Sequence, residues 1–355
     1  MAFERLSSVA TLDEALAELE EAGPVLANGL TNHAPMVAEV FSELGRAADL
    51  GPWLAQYAPR LSPWPEAKTA LPPSAWQSVL GNEARCGDLR RLLGVELSEY
   101  GAEALLARWL PRLLPGYISA AMHGVIRTAH AARGFSQRGT PERAGEVADA
   151  LAYWASAYQA LPRGTASSAV PLPLDRALAE LPFLPSGRRR PGGNISASLA
   201  PLFAFEEFEL HAERLLVSDP DVFLSQLTEA FARVYLENAQ DGFSTIVFIH
   251  AVTGPAALRL LLPYLSAEDA RVAAWQAWQA AAALYSTFGV ARPAEKLPAA
   301  EPWGVLIERA MLGRDEHAIK FVEACRREAR HAEPLGMPSE AYAAAATRAV
   351  ATLGR

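Results

Sequence analysis

The sequence predicts an all-α fold, a multi-helix, bundle-like single large domain spanning 1–355. Three observations predict it. Alanine and leucine dominate, and apolar residues recur at helical spacing through most of the chain. Alternating β-type segments bounded by turns are almost missing. With 51% apolar and 20% charged residues, the 355 residues can bury a large core, as one domain or two closely packed ones, which excludes a disordered chain.

Thr11 and Glu14 form a capping box for a first helix that runs to Gly23 and Pro24. Thr31 or Asn32 caps a second, with Pro35 in its first turn, so His33 falls at a helix N-terminus. The Trp- and Pro-rich stretch 52–73 reads as an irregular connection over the core. Helices are expected at 83–94, 101–114, 115–134 and 141–161, and His123 falls within the third of these. Residues 162–199, rich in Pro, Gly and Ser around one helical piece at 175–181, are a linker or a lid within the domain. Arg188, Arg189 and Arg190, flanked by Pro185, Ser186, Gly187 and by Pro191, Gly192, Gly193, read as a solvated loop. Helices follow near 200–217, 220–239, 244–264, 267–288, 303–312, 314–332 and 339–353.

A formal charge of -8 and a pI near 5.5 argue against nucleic-acid or anionic-membrane partners, which need a cationic face. Cys86 and Cys325 make no CxxC pair, which suits a reducing cytoplasm. The first residues lack a basic region followed by an apolar one, so no export is inferred. The apolar stretch 246–265 contains His250, Gly254, Pro255 and Arg259 and reads as a buried helix rather than a bilayer span. A cytoplasmic protein with no membrane partner is expected.

Of seven histidines, four stand out. His250 sits in the hydrophobic run FSTIVFIHAVTG, where an imidazole needs a hydrogen bond or a ligand. His123, in SAAMHGVIR, is followed by Gly124, which admits a close neighbour, and by Arg127 one turn on. His33, in TNHAPM, has a helix start and Asn32 beside it. His317 and Lys320 stand three apart in DEHAIKFV, side by side on one helix face, the spacing by which bundle metal sites present two ligands inward. A lysine neutralised by an apolar pocket reacts with carbon dioxide to give an anionic carbamate, which ligates like a carboxylate. The competing reading makes the pair an exposed face beside Arg314, Asp315 and Glu316. His130, His211 and His331 neighbour Arg or Glu residues and are assigned to polar faces.

The strings TNHAPM, HGVIR, FIHAVTG and DEHAIKFV, in that order and at these wide separations, resemble the questin oxidase-like family of aromatic-polyketide biosynthesis. The likeness runs from about residue 20 to 330. The family is known for oxidative opening of anthraquinone rings. The resemblance implies a mononuclear non-haem iron, Fe2+, in an all-helical protein, held by His33, His123, His250 and His317 with Lys320 carboxylated by CO2. It also implies an aromatic small-molecule substrate and dioxygen. Arg127 is the candidate for steadying an oxyanion or substrate carbonyl, and Asn32 and Asp315 for orienting the neighbouring histidines.

Rivals remain open at this stage. A Baeyer–Villiger monooxygenase would use flavin with NADPH, yet no GxGxxG follows a strand and no P-loop occurs, so NADPH enters at most as an external reductant. A zinc or nickel hydrolase lacks GxSxG and HExxH support. A non-enzymatic helical ligand carrier would make the five residues ordinary core polar groups.

Overall fold

The structure is a computed structural model and describes residues 4–163, 170–190, 194–292 and 296–354. Parts of the expected lid or linker, residues 164–169 and Pro191, Gly192 and Gly193 of the arginine loop, lie outside the described residues. The protein is all-α: the described residues form helices and only isolated β-bridges. Backbone contacts divide it into two compact units, Met1–Gln159 with Pro263–Leu265, and Ala160–Leu262 with Ser266–Arg355.

The first unit holds α1 (Leu12–Leu19), α2 (Ala34–Glu43), α3 (Ala47–Tyr57), α4 (Cys86–Tyr100), α5 (Ala102–Leu113), α6 (His123–Gln137) and α7 (Pro141–Ser156). The Thr11 capping box is formed. Helix α1 stops at Leu19, short of Gly23, because the chain turns there to bridge Ala22 to Pro63. Gly23 allows this approach: a Cβ there would stand 2.7 Å from the Pro63 carbonyl oxygen.

Two expectations fail in this unit. The irregular stretch expected over 52–73 begins inside α3, with Pro52 in the helix interior. Burial of Trp53, Leu54 and Tyr57, with packing of α3 on the turn Glu4–Ser8, outweighs the hydrogen bond that proline removes. The single helix expected over 115–134 is broken: a 3-10 turn at Leu114–Gly116 leads into a left-handed turn, and α6 begins only at His123.

The second unit holds α8 (Leu174–Ala179), α9 (Ile195–Ser198), α10 (Glu206–Ala212), α11 (Pro220–Asn238), α12 (Gly242–Leu261), α13 (Ala267–Phe288), α14 (Trp303–Gly313), α15 (Glu316–Ala332) and α16 (Glu340–Leu353). Its core is α11, α12 and α13, with α15 and α16 packed on α11 and α12. Helix α12 is long and apolar enough to cross a membrane by length and composition, but 78% of its apolar window is buried inside the protein. The described part of 162–199 is tied down: Leu172 bridges to Leu215, and Ser286 holds the Pro182 carbonyl at 2.7 Å. Arg189 donates to the carbonyls of Leu184 and Gly289, so the arginine loop is pinned by its own charges rather than simply solvated. The helix expected over 200–217 is interrupted, with a 3-10 turn at Ala200–Ala204 ahead of α10.

Candidate metal centre

In the first unit, α2 and α6 pack together and start together. His33 is the N-cap of α2 and His123 the first residue of α6, so their rings meet, with centroids 4.7 Å apart and planes tilted by 31°. Both are buried. Asn32 grips the backbone on either side of His33: its Nδ2 donates to the Gly23 carbonyl at 2.9 Å and its Oδ1 accepts from the Ala34 N–H at 3.0 Å. The His33 N–H donates to the Tyr57 hydroxyl at 2.8 Å, and Tyr57 stacks on Trp53. Asn32 thus acts on the main chain around His33.

His123 Nδ1 lies 2.6 Å from the Ala120 carbonyl oxygen. A carbonyl only accepts, so Nδ1 carries a proton, and in the neutral ring the lone pair is then on Nε2. Gly124, expected to admit a ligand or a backbone, instead admits an indole: a Cβ there would stand 2.6 Å from Cγ and Cδ1 of Trp154. Arg127 is buried and makes a bidentate ion pair with Glu146, at 2.7 and 2.9 Å. Burial opposes its charge, yet Glu146 more than offsets this and holds its pKa above the usual arginine value. Its remaining nitrogen, Nη1, is buried with no hydrogen-bond partner among the described residues.

In the second unit, α12 packs on α15 and brings His250 to His317, ring centroids 5.6 Å apart and planes at 75°. His250 is buried in the apolar middle of α12, and its Nδ1 lies 2.7 Å from the Ile246 carbonyl one turn back, which again leaves the lone pair on Nε2. Burial, and then the nearby Lys320 charge, push its pKa down to about 3. Asp315 is the N-cap of α15; its Oδ1 accepts from the N–H groups of His317 and Ala318 at 2.9 and 3.0 Å. That oxygen is 3.8 Å from His317 Nδ1, too far for a hydrogen bond, so Asp315 also positions its histidine through the backbone. Lys320, one turn further, is buried, and burial pushes its ammonium down to about 8 against the opposing charges of Glu316 and Asp315. The alternative of an exposed His-x-x-Lys face does not describe this helix.

Two of the three histidines set aside are not on polar faces. His130 is buried, its Nδ1 2.7 Å from Glu39, and Arg133 grips both oxygens of the same carboxylate at 2.6 Å. His211 is buried against the Ala177 carbonyl at 2.6 Å. The charged neighbours of His130, Arg127 and Arg133, turn inward and are paired there, which a count of local polarity misses. His331 is half-exposed and bonds Asp221 at 2.9 Å. Sequence reasoning passed over Glu39 altogether; its signal was a single carboxylate inside the apolar run APMVAEVF.

The donor set fits a divalent first-row metal. Imidazoles bound to one ion through nitrogens about 2.1 Å away, at angles of roughly 90–120°, have centroids about 4.5–5.6 Å apart. The spacing within each pair, 4.7 and 5.6 Å, falls in that range. Residues 54–325 match a family model described as Questin oxidase-like. The matched segment contains His123, His250, His317 and Lys320 and begins after His33. No curated protein matches the chain.

Proposed function

Because the chain belongs to the questin oxidase-like family, we propose that it is a non-haem iron oxygenase that cleaves a ring C–C bond of an anthraquinone-like aromatic polyketide with dioxygen. Family membership by itself suggests an oxidase acting on a small aromatic molecule. Iron, the five ligands and the ring opening are our reading. The observation that carries it is the pair of imidazole contacts: each unit sets two histidines ring to ring, His33, His123 and His250 buried and His317 partly so, and in each pair one ring is fixed by a backbone carbonyl at Nδ1.

On this reading His33 and His123 of the first unit, and His250, His317 and Lys320 of the second, are metal ligands. The Lys320 amine, made less basic by burial, attacks carbon dioxide in its neutral form; a C–N bond forms, one N–H proton leaves, and the anionic carbamate supplies an oxygen ligand. Bound ferrous iron supplies electron exchange with dioxygen, which no side chain here can supply. Asn32 and Asp315 keep the helix starts that carry His33 and His317 in register. Arg127, already neutralised by Glu146, turns its remaining N–H groups to a substrate carbonyl or phenolate without adding net charge. If both oxygen atoms enter the product, no further reductant is needed; if one leaves as water, two electrons come from outside, for which NADPH is the natural donor.

Metal analysis of the purified chain tests the proposal. One iron per chain supports it, zinc points to a hydrolase, and no stoichiometric metal leaves a ligand carrier. Lys320→Ala is expected to lose iron with helix content unchanged, and bicarbonate with a short-chain acid to restore part of it. Full iron content in that variant refutes the carbamate. With 18O-labelled dioxygen and an anthraquinone-type hydroquinone, label in the product separates one-atom from two-atom incorporation.

A further inference from the structure

Ala120, Ala121 and Met122 have φ of +49°, +54° and +69°, three successive non-glycine residues in the left-handed region immediately before His123. Single residues visit this region at a cost, and a run of three L residues persists only where its surroundings over-determine it. The surroundings here are specific. Trp154 Nε1 donates to the Gly116 carbonyl at 2.9 Å, and the Gln159 N–H donates to Ser119 Oγ at 2.9 Å. Tyr158 lies so close that a Cβ on Gly116 would stand 2.5 Å from its ring. The far end is closed by Trp154 against Gly124. The turn is therefore clamped from α7 and the segment after it.

The consequence of this backbone is the aim of one carbonyl. Ala120 O accepts both from the His123 N–H, at 3.1 Å, and from the His123 ring at Nδ1, at 2.6 Å. His250 finds its carbonyl without strain, four residues back in a regular helix. His123 is the first residue of α6 and has no preceding helical turn to supply one.

We propose that the left-handed turn Ala120–Met122 is a positioning element that locks His123 in its Nδ1-protonated form and so leaves Nε2 as the ligand atom. Its role in metal binding rests on the iron reading above; its action on the imidazole does not.

The test uses the full-length, metal-stripped chain labelled with 15N at histidine, with His123→Gln assigning the His123 signals. The expected result is protonated Nδ1 and unprotonated Nε2, the reverse of the form favoured by free histidine. Ala121→Gly, which suits positive φ, is expected to keep that pattern and bind ferrous ion anaerobically as the parent does. Ala121→Val, whose β-branch is disfavoured there, is expected to lose the pattern and to bind ferrous ion about 10-fold more weakly or worse. A parent His123 protonated at Nε2 overturns the proposal. So does a folded Ala121→Val protein with the parent's imidazole shifts. If the valine variant does not fold, the parent tautomer and the glycine variant decide. A parent with protonated Nδ1 that binds no ferrous ion upholds the action of the turn and overturns the iron reading instead.

Discussion

Gly124→Ala and Gly94→Ala are the same chemical change in helices of the same unit, and the structure assigns them opposite signs. At Gly94, in the interior of α4, a Cβ meets nothing within 4 Å, so the substitution keeps only the helix-propensity gain, about 0.5–1 kcal/mol of added stability. At Gly124 the Cβ would stand 2.6 Å from Cγ and Cδ1 of Trp154 and 3.1 Å from its Cβ. These are atoms at the root of the side chain, not a flexible end. The indole cannot swing aside either, because it is fully buried and tied to the Gly116 carbonyl. Overpacking a rigid site costs about 1–3 kcal/mol, and this geometry belongs at the upper end; less about 1 kcal/mol of propensity, the net loss is about 2 kcal/mol. Urea unfolding followed by circular dichroism, with equal slopes required of all three proteins, measures both changes. A Gly124→Ala protein as stable as Gly94→Ala would refute the packing argument and with it the clamp on the turn before His123.

Glu39→Gln strips the carboxylate from Arg133 and His130 and leaves a buried guanidinium uncompensated, for a loss of about 3–5 kcal/mol at neutral pH. Burial alone would raise the Glu39 pKa, but the charges of Arg133 and His130 with their hydrogen bonds lower it below 4.5. Its contribution is thus present above pH 4.5 and lost as pH falls through the depressed value; the gap in urea midpoint between parent and variant should close in acid, and a gap that stays constant counts against the pairing. Lys320 has the opposite sense. With its pKa pushed from 10.5 to about 8, the folded state resists protonation, so Lys320→Met in metal-free, CO2-free buffer should be about 3 kcal/mol more stable than the parent below pH 8. That advantage should fade as pH rises from 8 to 10.5, and a variant less stable than the parent at pH 7 would show that the ammonium is well compensated. Replacing His331 by Gln breaks only the half-exposed contact to Asp221 and should leave iron per chain unchanged; loss of iron there would mean that the wrong histidines were chosen.

The helical class was legible because apolar period is a property of each segment, and α11 to α16 lie within a few residues of where the spacing put them. What was not legible came from contacts distant in sequence. Pro52 reads locally as a breaker, yet α3 runs through it because Trp53, Leu54 and Tyr57 find a core. The break before His123 is the opposite case. SAAMHGVIR looks helical throughout, and the left-handed turn exists only because Trp154, Tyr158 and Gln159 hold the chain there.

The same distinction separates the candidate ligands from the histidines passed over. His250 announced itself because its signal is local: it lies in an apolar helix, and that helix supplies, one turn back, the carbonyl that fixes its ring. His130 did not, because the carboxylate that satisfies it is 91 residues away and an arginine stands three residues to either side of it. An imidazole in an apolar run must be answered by something, and its own helix can give only one carbonyl; the second ring nitrogen then needs a partner from elsewhere. Glu39 gives His130 a partner that is already committed to Arg133, which closes that cluster as an ion-paired core. His123 and His250 instead spend Nδ1 on the main chain and each lies ring to ring with another imidazole, an arrangement that a cation shared by the two rings of a pair would stabilise.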